Sequence, residues 1–299
     1  MRAPSWIQIL GTWRLDPGLS LTLLASAGIY LRAAGRSARG RHRRRHWPRR
    51  RTAAFLAGLA TIALALESGL DGYAEDLLSI HMVQHLLLIL VAPPLLLAGA
   101  PITLALRALA PARRRALATL LRGRVIAAIS HPAAGLLAIG TVMLCTHLTP
   151  LFELALTHPA VHVAEHILYL GSGLLFWAVL IAPGPRVRRL DGLGEVVYML
   201  LGMPLMSVVG VILETDGSPR YAEYLESASR LGVSALADQR LAGALMWVAG
   251  TIVMGAIALI VAWRSIAAEE RRAVARESYA AEPAVSVAGE CEHPERAWA

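Results

Sequence analysis

The chain has 299 residues, of which 56% are hydrophobic and 17% charged, with a mean hydropathy of +0.53 and a formal net charge of +8. Soluble domains average about 45–50% apolar and about 25% charged residues, so this composition excludes a typical soluble enzyme, a disordered chain and a collagen-like chain. The apolar residues occur in long blocks, which indicates a protein with several membrane-spanning helices.

The apolar blocks define the predicted elements. A helix needs about 20 apolar residues to cross a bilayer. We predict an all-α membrane protein, a bundle of seven transmembrane helices in residues 1–266, followed by a cytoplasmic, largely disordered tail in residues 267–299. Seven segments meet or approach the required length, and the first is the shortest: Pro17–Leu31, Ala53–Leu70, Leu77–Leu97, Ile126–Thr146, Ala160–Ile181, Gly192–Leu213 and Leu241–Trp263.

The distribution of basic residues predicts the orientation of this bundle. All 29 basic residues are arginines, and 24 of them lie in the first, third and fifth connections or after the seventh helix. Because cytoplasmic loops carry the excess of basic residues, we expect the N-terminus outside and the C-terminus in the cytoplasm. Arginine-rich loops beside lipid headgroups account for the positive charge, so we expect no nucleic-acid partner.

The histidines give the strongest functional signal. Two HxxxH pairs, His81/His85 and His162/His166, open the predicted third and fifth helices. Residues four apart lie on the same face of a helix, so each pair points both imidazoles in one direction. Two facing pairs offer four nitrogens to one ion, or one pair to each of two ions, and imidazole suits copper, zinc, iron and nickel.

Other polar residues fall at the same predicted depth, near the outer face of the membrane that the helices cross. His147 closes the fourth helix and completes a predicted metal site of His81, His85, His147, His162 and His166. Glu165 either accepts a hydrogen bond from a ligand and fixes its tautomer, or faces water. His158 precedes a proline at the start of a helix, so it is expected to end the loop rather than bind metal.

A methionine stripe and a polar pair before the last helix are two further patterns in the sequence. Met199, Met203 and Met206 form one stripe on the predicted sixth helix. Thioethers suit Cu(I), although a stripe of this kind more often serves packing. Asp238 and Gln239 precede the predicted seventh helix and are expected to cap its N-terminus.

The residues alone leave several function classes open. A membrane copper protein is favoured, because paired imidazoles on one face fit an ion. The alternatives are a b-type haem-binding electron-transfer protein, a di-iron membrane oxidoreductase of the histidine-box type, and a transport channel. Haem requires one histidine on each side of the ring, and histidine-box enzymes are expected to place more ligands on the cytoplasmic side.

Three stretches of the sequence resemble a known family. They are HMVQHLLLILVAPPLLLAGAP at residues 81–101, HLTPLFELALTHPAVHVAEH at residues 147–166, and LADQRLAGALMW at residues 236–247. These closely resemble the signatures of the CtaG-like cytochrome c oxidase assembly factors of bacteria, and the likeness covers nearly the whole chain except the tail. The chain departs from the family pattern at Thr146, where tryptophan is common, and at Phe152-Glu153, where tyrosine and aspartate often stand.

The resemblance carries specific expectations. Similar proteins are multi-pass proteins of the bacterial inner membrane that help to mature haem-copper oxidases by handling copper. The likeness implies that copper binds at His81, His85, His147, His162 and His166, with an oxidase subunit, the lipid bilayer and a copper donor protein as partners. We expect reversible binding and transfer rather than catalysis. The likeness does not extend to the single-span, cysteine-based copper chaperone that shares the CtaG name.

Overall fold

The computed structural model describes residues 5–39, 46–181, 190 and 192–281. This part of the chain is helical, and its only strand-like feature is an isolated bridge between Trp13 and Ser68. The tail beyond residue 281 and the arginines of the fifth connection, at positions 186, 188 and 189, lie outside the described residues. The prediction of a disordered tail therefore stays a prediction.

Seven long helices account for most of the described chain, and each overlaps one of the predicted segments. Two of them contain a π-helical stretch, Leu87–Val91 in the third and Leu245–Ala249 in the seventh. The long helices are α1 (Pro17–Arg39), α2 (Arg49–Glu67), α3 (Leu78–Ala108), α4 (Pro132–Leu148), α5 (Pro159–Ile181), α6 (Gly192–Thr215) and α7, which runs from Ala235 to Ala281. Short helices occupy Trp6–Gly11, Gly69–Ala74, Pro111–Leu121, Arg124–Ile129, Leu151–Thr157 and Glu223–Arg230.

Four helices, α3, α5, α6 and α7, are long and apolar enough to cross a membrane. A fifth span is possible if α4 and Leu151–Thr157, which meet at an angle of 71°, form one broken crossing. Helix α2 falls short because three arginines begin it and Glu67 ends it. The prediction of an all-α protein is confirmed for the described residues, which contain four or five candidate membrane-spanning helices, whereas seven spans and the orientation of the termini stay predictions.

The fourth predicted segment begins in the wrong place. The hydropathy pattern predicts a start at Ile126, but Arg124–Ile129 is a separate short helix and α4 starts at Pro132. His131 Nδ1 accepts a hydrogen bond of 3.2 Å from the backbone N–H of Ala133, and a proline fits the first helical position because it lacks a backbone donor. The histidine therefore caps a new helix.

The predicted cap of α7 is also wrong. Ser234 caps the helix, with its hydroxyl accepting a hydrogen bond of 3.4 Å from the N–H of Ala237. Asp238 and Gln239 lie inside the first turns. The buried carboxylate of Asp238 accepts hydrogen bonds from the hydroxyl and the backbone N–H of Ser79, so it caps the start of α3 instead.

The middle of α3 is joined to α5 by an unusual hydrogen bond. In a regular helix the carbonyl of Ile89 would accept from residue 93, but Pro93 has no N–H. The indole N–H of Trp177 on α5 donates to this carbonyl at 2.9 Å. Gly173, one turn before Trp177, permits the close approach, since a Cβ there would lie 2.7 Å from Pro93 Cγ. The contact fixes α5 against α3.

The long helices share one apolar core. Helix α4 packs against α5 and α6, α6 packs against α7, and the Ala92–Ala98 part of α3 packs against α2 and α5. The first turns of α3, the last turn of α4 and the first turns of α5 meet at one end of this bundle. That end carries the histidines.

Candidate metal centre

His81 and His85 form the centre of the cluster. They lie on the first two turns of α3, both are buried, and their Nε2 atoms are 2.9 Å apart. The hydroxyl of Tyr224 donates to the carbonyl of Ala74 at 2.8 Å, so its oxygen accepts the Nδ1–H of His81 at 3.0 Å. That bond leaves a lone pair on His81 Nε2, directed at His85.

His85 lacks a matching set of partners. Its Nδ1 is buried without a hydrogen bond. If Nδ1 carries the proton, two Nε2 lone pairs face each other. If Nε2 carries it and donates to His81, the Nδ1 lone pair is left bare. Either tautomer leaves a buried nitrogen unmatched, and a cation shared by the two Nε2 atoms removes the repulsion in the first case.

Glu165 on α5 faces the same two nitrogens. Its Oε2 lies 4.0 Å from Nε2 of His81 and 3.9 Å from Nε2 of His85. Glu165 is only 3% exposed, and neither of its carboxylate oxygens has a hydrogen-bond partner. One ligand atom from each of the three residues lies within 4.8 Å of the others, an arrangement that can hold a metal ion. A bare buried carboxylate is costly, and a bound cation offsets that cost.

The second HxxxH pair lies beside this group. The ring of His162 is 5.3 Å from that of His81 and 4.3 Å from that of His166, centroid to centroid. His166 is 6.0 Å from His85. The Nε2 atoms of both His162 and His166 are buried without a hydrogen bond. The pair therefore surrounds the three-residue group with two further free nitrogens.

His147 approaches from the end of α4. Its ring lies 6.0 Å from that of His85, but its Nε2 faces Met82 Sδ at 3.3 Å rather than another histidine. Its Nδ1 lies 3.0 Å from the carbonyl of Met143 and 3.1 Å from the hydroxyl of Tyr169. The structure thus brings all five predicted histidines together, with His147 on the methionine side of the cluster.

Aromatic side chains hold the imidazoles in position. Tyr169 stacks on His85 with ring centroids 3.9 Å apart and planes at 19°. Phe152, from the short helix after α4, lies 5.1 Å from His81 and 5.6 Å from His147. The close packing restricts each ring to one orientation, which is the condition for a preorganised binding site.

Two residues on short helices, Tyr224 and Asp71, support the cluster at its end of the bundle. Burial raises the pKa of Tyr224, so its phenol stays protonated and remains a donor. Asp71 accepts a hydrogen bond of 2.8 Å from Gln84, the residue before His85. Burial raises the pKa of Asp71, and the bond from Gln84 opposes that rise. The short helices that carry Tyr224 and Asp71 therefore fix the start of α3.

The remaining predicted residues have other positions. His158 is exposed, and its Nδ1 lies 2.9 Å from the hydroxyl of Thr157. Met199 and Met206 are buried in the core, whereas Met203 is only partly buried. Sequence reasoning did not single out Tyr224 or Met82. It treated Glu165 as a supporting acceptor or a water-facing residue, although Glu165 lies three residues after His162 and therefore on the same face of the helix as that histidine.

Comparison with known proteins identifies the family. The family described as "Cytochrome c oxidase caa3 assembly factor" matches residues 28–268, which include every histidine of the cluster. The match confirms the resemblance noted in the sequence.

The relatives are mycobacterial. The chain is 33% identical over 290 residues to uncharacterized proteins of Mycobacterium bovis and Mycobacterium tuberculosis, and 30% identical over 287 residues to one of Mycobacterium leprae. The alignments cover 92% of this chain but 42% of each relative, so the chain spans about two fifths of their length. No solved structure matches the chain significantly. On the strength of the family match, the chain belongs to the cytochrome c oxidase caa3 assembly factor family.

Proposed function

We propose that the protein binds copper at His81, His85 and Glu165, with the other three histidines of the cluster around them, and delivers it to a cytochrome c oxidase subunit during assembly. One observation carries the proposal. Ligand atoms from α3 and α5 converge in a buried space, and several of them have no hydrogen-bond partner. The family supplies the link to the oxidase.

The unpaired atoms favour a cation over simple packing. A polar group buried without a partner costs about 1–3 kcal/mol, and a charged group costs more. A cluster that served only packing would be expected to pair these atoms with one another or with the backbone. Instead, both oxygens of Glu165 and the Nε2 atoms of His162 and His166 are bare. A positive ion bound by His81 and His85 would lie beside the carboxylate of Glu165 and offset its charge.

The donor set suits copper held for transfer. Two nitrogens 2.9 Å apart subtend about 90° at an ion about 2.0 Å from each, which is compatible with the geometries of copper. The site offers imidazole and carboxylate and no thiolate, since the free cysteine at position 145 is exposed. Nitrogen and oxygen donors without a closed thiolate cage permit release to a client protein.

The residues of this chain bind and orient the ion, and no group in the cluster is required to turn over a substrate. Tyr224 keeps the proton of His81 on Nδ1, so that Nε2 is available as a ligand. The site lies at one end of the bundle, which the arginine distribution predicts to be the outer side of the bacterial inner membrane. Copper would be received and delivered there, from a donor protein to the oxidase subunit.

The test compares metal binding by three purified proteins in detergent. These are the unchanged chain, the His81→Ala/His85→Ala double variant, and a His158→Ala variant as the matched control. Cu(II), which thioether sulfurs do not favour, should bind to the unchanged chain and to the control near stoichiometry, and be lost from the double variant. Equal copper in all three proteins would contradict the proposal, and so would a Soret band, because that band would identify bound haem.

A further inference from the structure

Methionines line a small cavity directly beside the histidine cluster. Met82, Met143, Met206 and Met246 come from α3, α4, α6 and α7, and all four are buried. His85 lines the same cavity. The space holds about one atom of the size of a water oxygen. Four of the eight methionines in the chain therefore line one small cavity.

Water is a poor occupant for this cavity. A buried water needs two to four polar partners, and the remaining lining residues are Leu86, Ile89 and Tyr169. The phenol of Tyr169 lies 2.8 Å from the hydroxyl of Thr146 and is engaged there. The lining therefore offers mainly thioether sulfurs, which are weak hydrogen-bond acceptors but good ligands for soft cations.

A contact between His147 and Met82 also points to a cation. When His147 Nδ1–H donates to the carbonyl of Met143, the lone pair of Nε2 faces Met82 Sδ at 3.3 Å. A thioether has no proton to donate, so two acceptors meet. An ion about 2.0 Å from the nitrogen and about 2.3 Å from the sulfur would subtend about 100° between them, which is compatible with tetrahedral or trigonal coordination.

We infer that the methionine cavity is a second metal site, which takes Cu(I) through thioether sulfurs; His147 does not line the cavity but contacts Met82, one of these ligands, through Nε2. The inference rests on the proposed function, because it deepens the same copper-handling role. Thioether ligands select Cu(I) among the common first-row ions, whereas the imidazole and carboxylate group next to it is less selective.

The position of the second site gives it a role in transfer. His85 belongs to the histidine–glutamate group and also lines the cavity. An ion can therefore stay bound to His85 while its other ligands change from His81 and Glu165 to the methionine sulfurs. Cu(I) keeps its oxidation state throughout, and no electron donor is needed. The methionine cavity holds the soft ion away from water, whereas the histidine–glutamate group receives it from the donor and releases it to the client.

The alternative is that the methionines only fill space. Replacement of methionine by leucine separates these cases, since the change nearly conserves volume and costs less than about 1.5 kcal/mol, yet removes the sulfur. The test variant is Met82→Leu/Met206→Leu. The matched control is Met199→Leu, which changes a methionine that is equally buried on α6 but does not line the cavity.

The experiment measures binding of Cu(I), supplied without oxygen, and of Ag(I) as a redox-inert soft ion. X-ray absorption on the Cu(I)-loaded proteins then reports the ligand type. The unchanged chain and Met199→Leu should show sulfur neighbours at about 2.3 Å. The Met82→Leu/Met206→Leu variant should lose them and bind Ag(I) about tenfold or more weakly. The His81→Ala/His85→Ala variant should keep sulfur-bound Cu(I).

Other outcomes overturn the inference in distinguishable ways. Copper bound only through nitrogen and oxygen in every protein, and lost with His81 and His85, would remove the second site and leave the proposed function standing. Sulfur neighbours that persist in Met82→Leu/Met206→Leu would place the sulfur elsewhere. Failure of the unchanged chain to bind copper in either oxidation state would overturn both proposals.

Discussion

The substitution Glu165→Gln tests whether Glu165 acts as a metal ligand or only supports the fold. The substitution keeps the size of the side chain and removes the negative charge. Glu165 is buried, its oxygens have no hydrogen-bond donor, and its Oε2 lies 3.9 Å from Nε2 of His85 and 4.0 Å from Nε2 of His81. The carboxylate therefore stabilises a bound cation and gives no identified stabilisation to the metal-free protein.

The expected effect on copper binding is larger than the expected effect on the stability of the metal-free protein. Loss of a group that holds a metal or its ligands typically weakens affinity by about 10–100-fold, which corresponds to about 1.4–2.7 kcal/mol. At saturating copper, the stabilisation of the folded state by the metal should decrease by the same amount. The free energy of unfolding of the metal-free protein should fall by less than about 1 kcal/mol or rise, because a neutral amide is less costly to bury than an unpaired carboxylate.

Denaturant unfolding in detergent, with and without copper, measures both quantities. Glu67→Gln is the matched control, since Glu67 is also buried but accepts a hydrogen bond of 2.5 Å from Ser20. That variant should keep the copper affinity of the unchanged chain. The reasoning is refuted if Glu165→Gln binds copper as tightly as the unchanged chain, or if it destabilises the metal-free protein by more than about 2 kcal/mol.

Three further predictions follow from neighbouring contacts. Tyr224→Phe should weaken copper binding about tenfold, as titrated with a competing chelator, because the Nδ1–H of His81 loses its acceptor. Trp177→Phe should lower the free energy of unfolding by about 1–3 kcal/mol without changing copper affinity, since the carbonyl of Ile89 loses its donor. Burial raises the pKa of Asp71 above 3.8, so its ionisation costs stability as the pH rises through the raised value. Asp71→Asn should therefore gain stability relative to the unchanged chain as the pH rises above 3.8, in paired denaturation curves.

Local patterns in the sequence predict the helices and much of the site. Hydropathy locates α3, α5, α6 and α7 because a membrane helix must be apolar along its whole length. The HxxxH spacing predicts that His81 and His85 share a face, since residues four apart lie one turn from each other. Glu165 lies three residues after His162 and so shares its face. Only the structure shows that His81 and His85 of α3 are its neighbours.

Contacts between distant elements could not be predicted in this way. Tyr224 reaches His81 from the short helix Glu223–Arg230, 143 residues along the chain, and Asp238 caps α3 from α7 across 159 residues. The methionine cavity draws one methionine from each of four helices, and of these only Met206 belongs to a pattern visible in the sequence, the stripe on the sixth helix. Periodicity describes one helix at a time, so the pairing of helices and the sites between them require the folded structure.

The central claim is that this histidine cluster supplies copper to an oxidase. The most direct test is the copper content of the cytochrome c oxidase purified from cells whose only copy of this protein carries His81→Ala/His85→Ala. The account predicts an oxidase that retains its haem but is depleted of copper, with normal copper in cells that carry His158→Ala. An oxidase with its full copper content in the double variant would contradict the account.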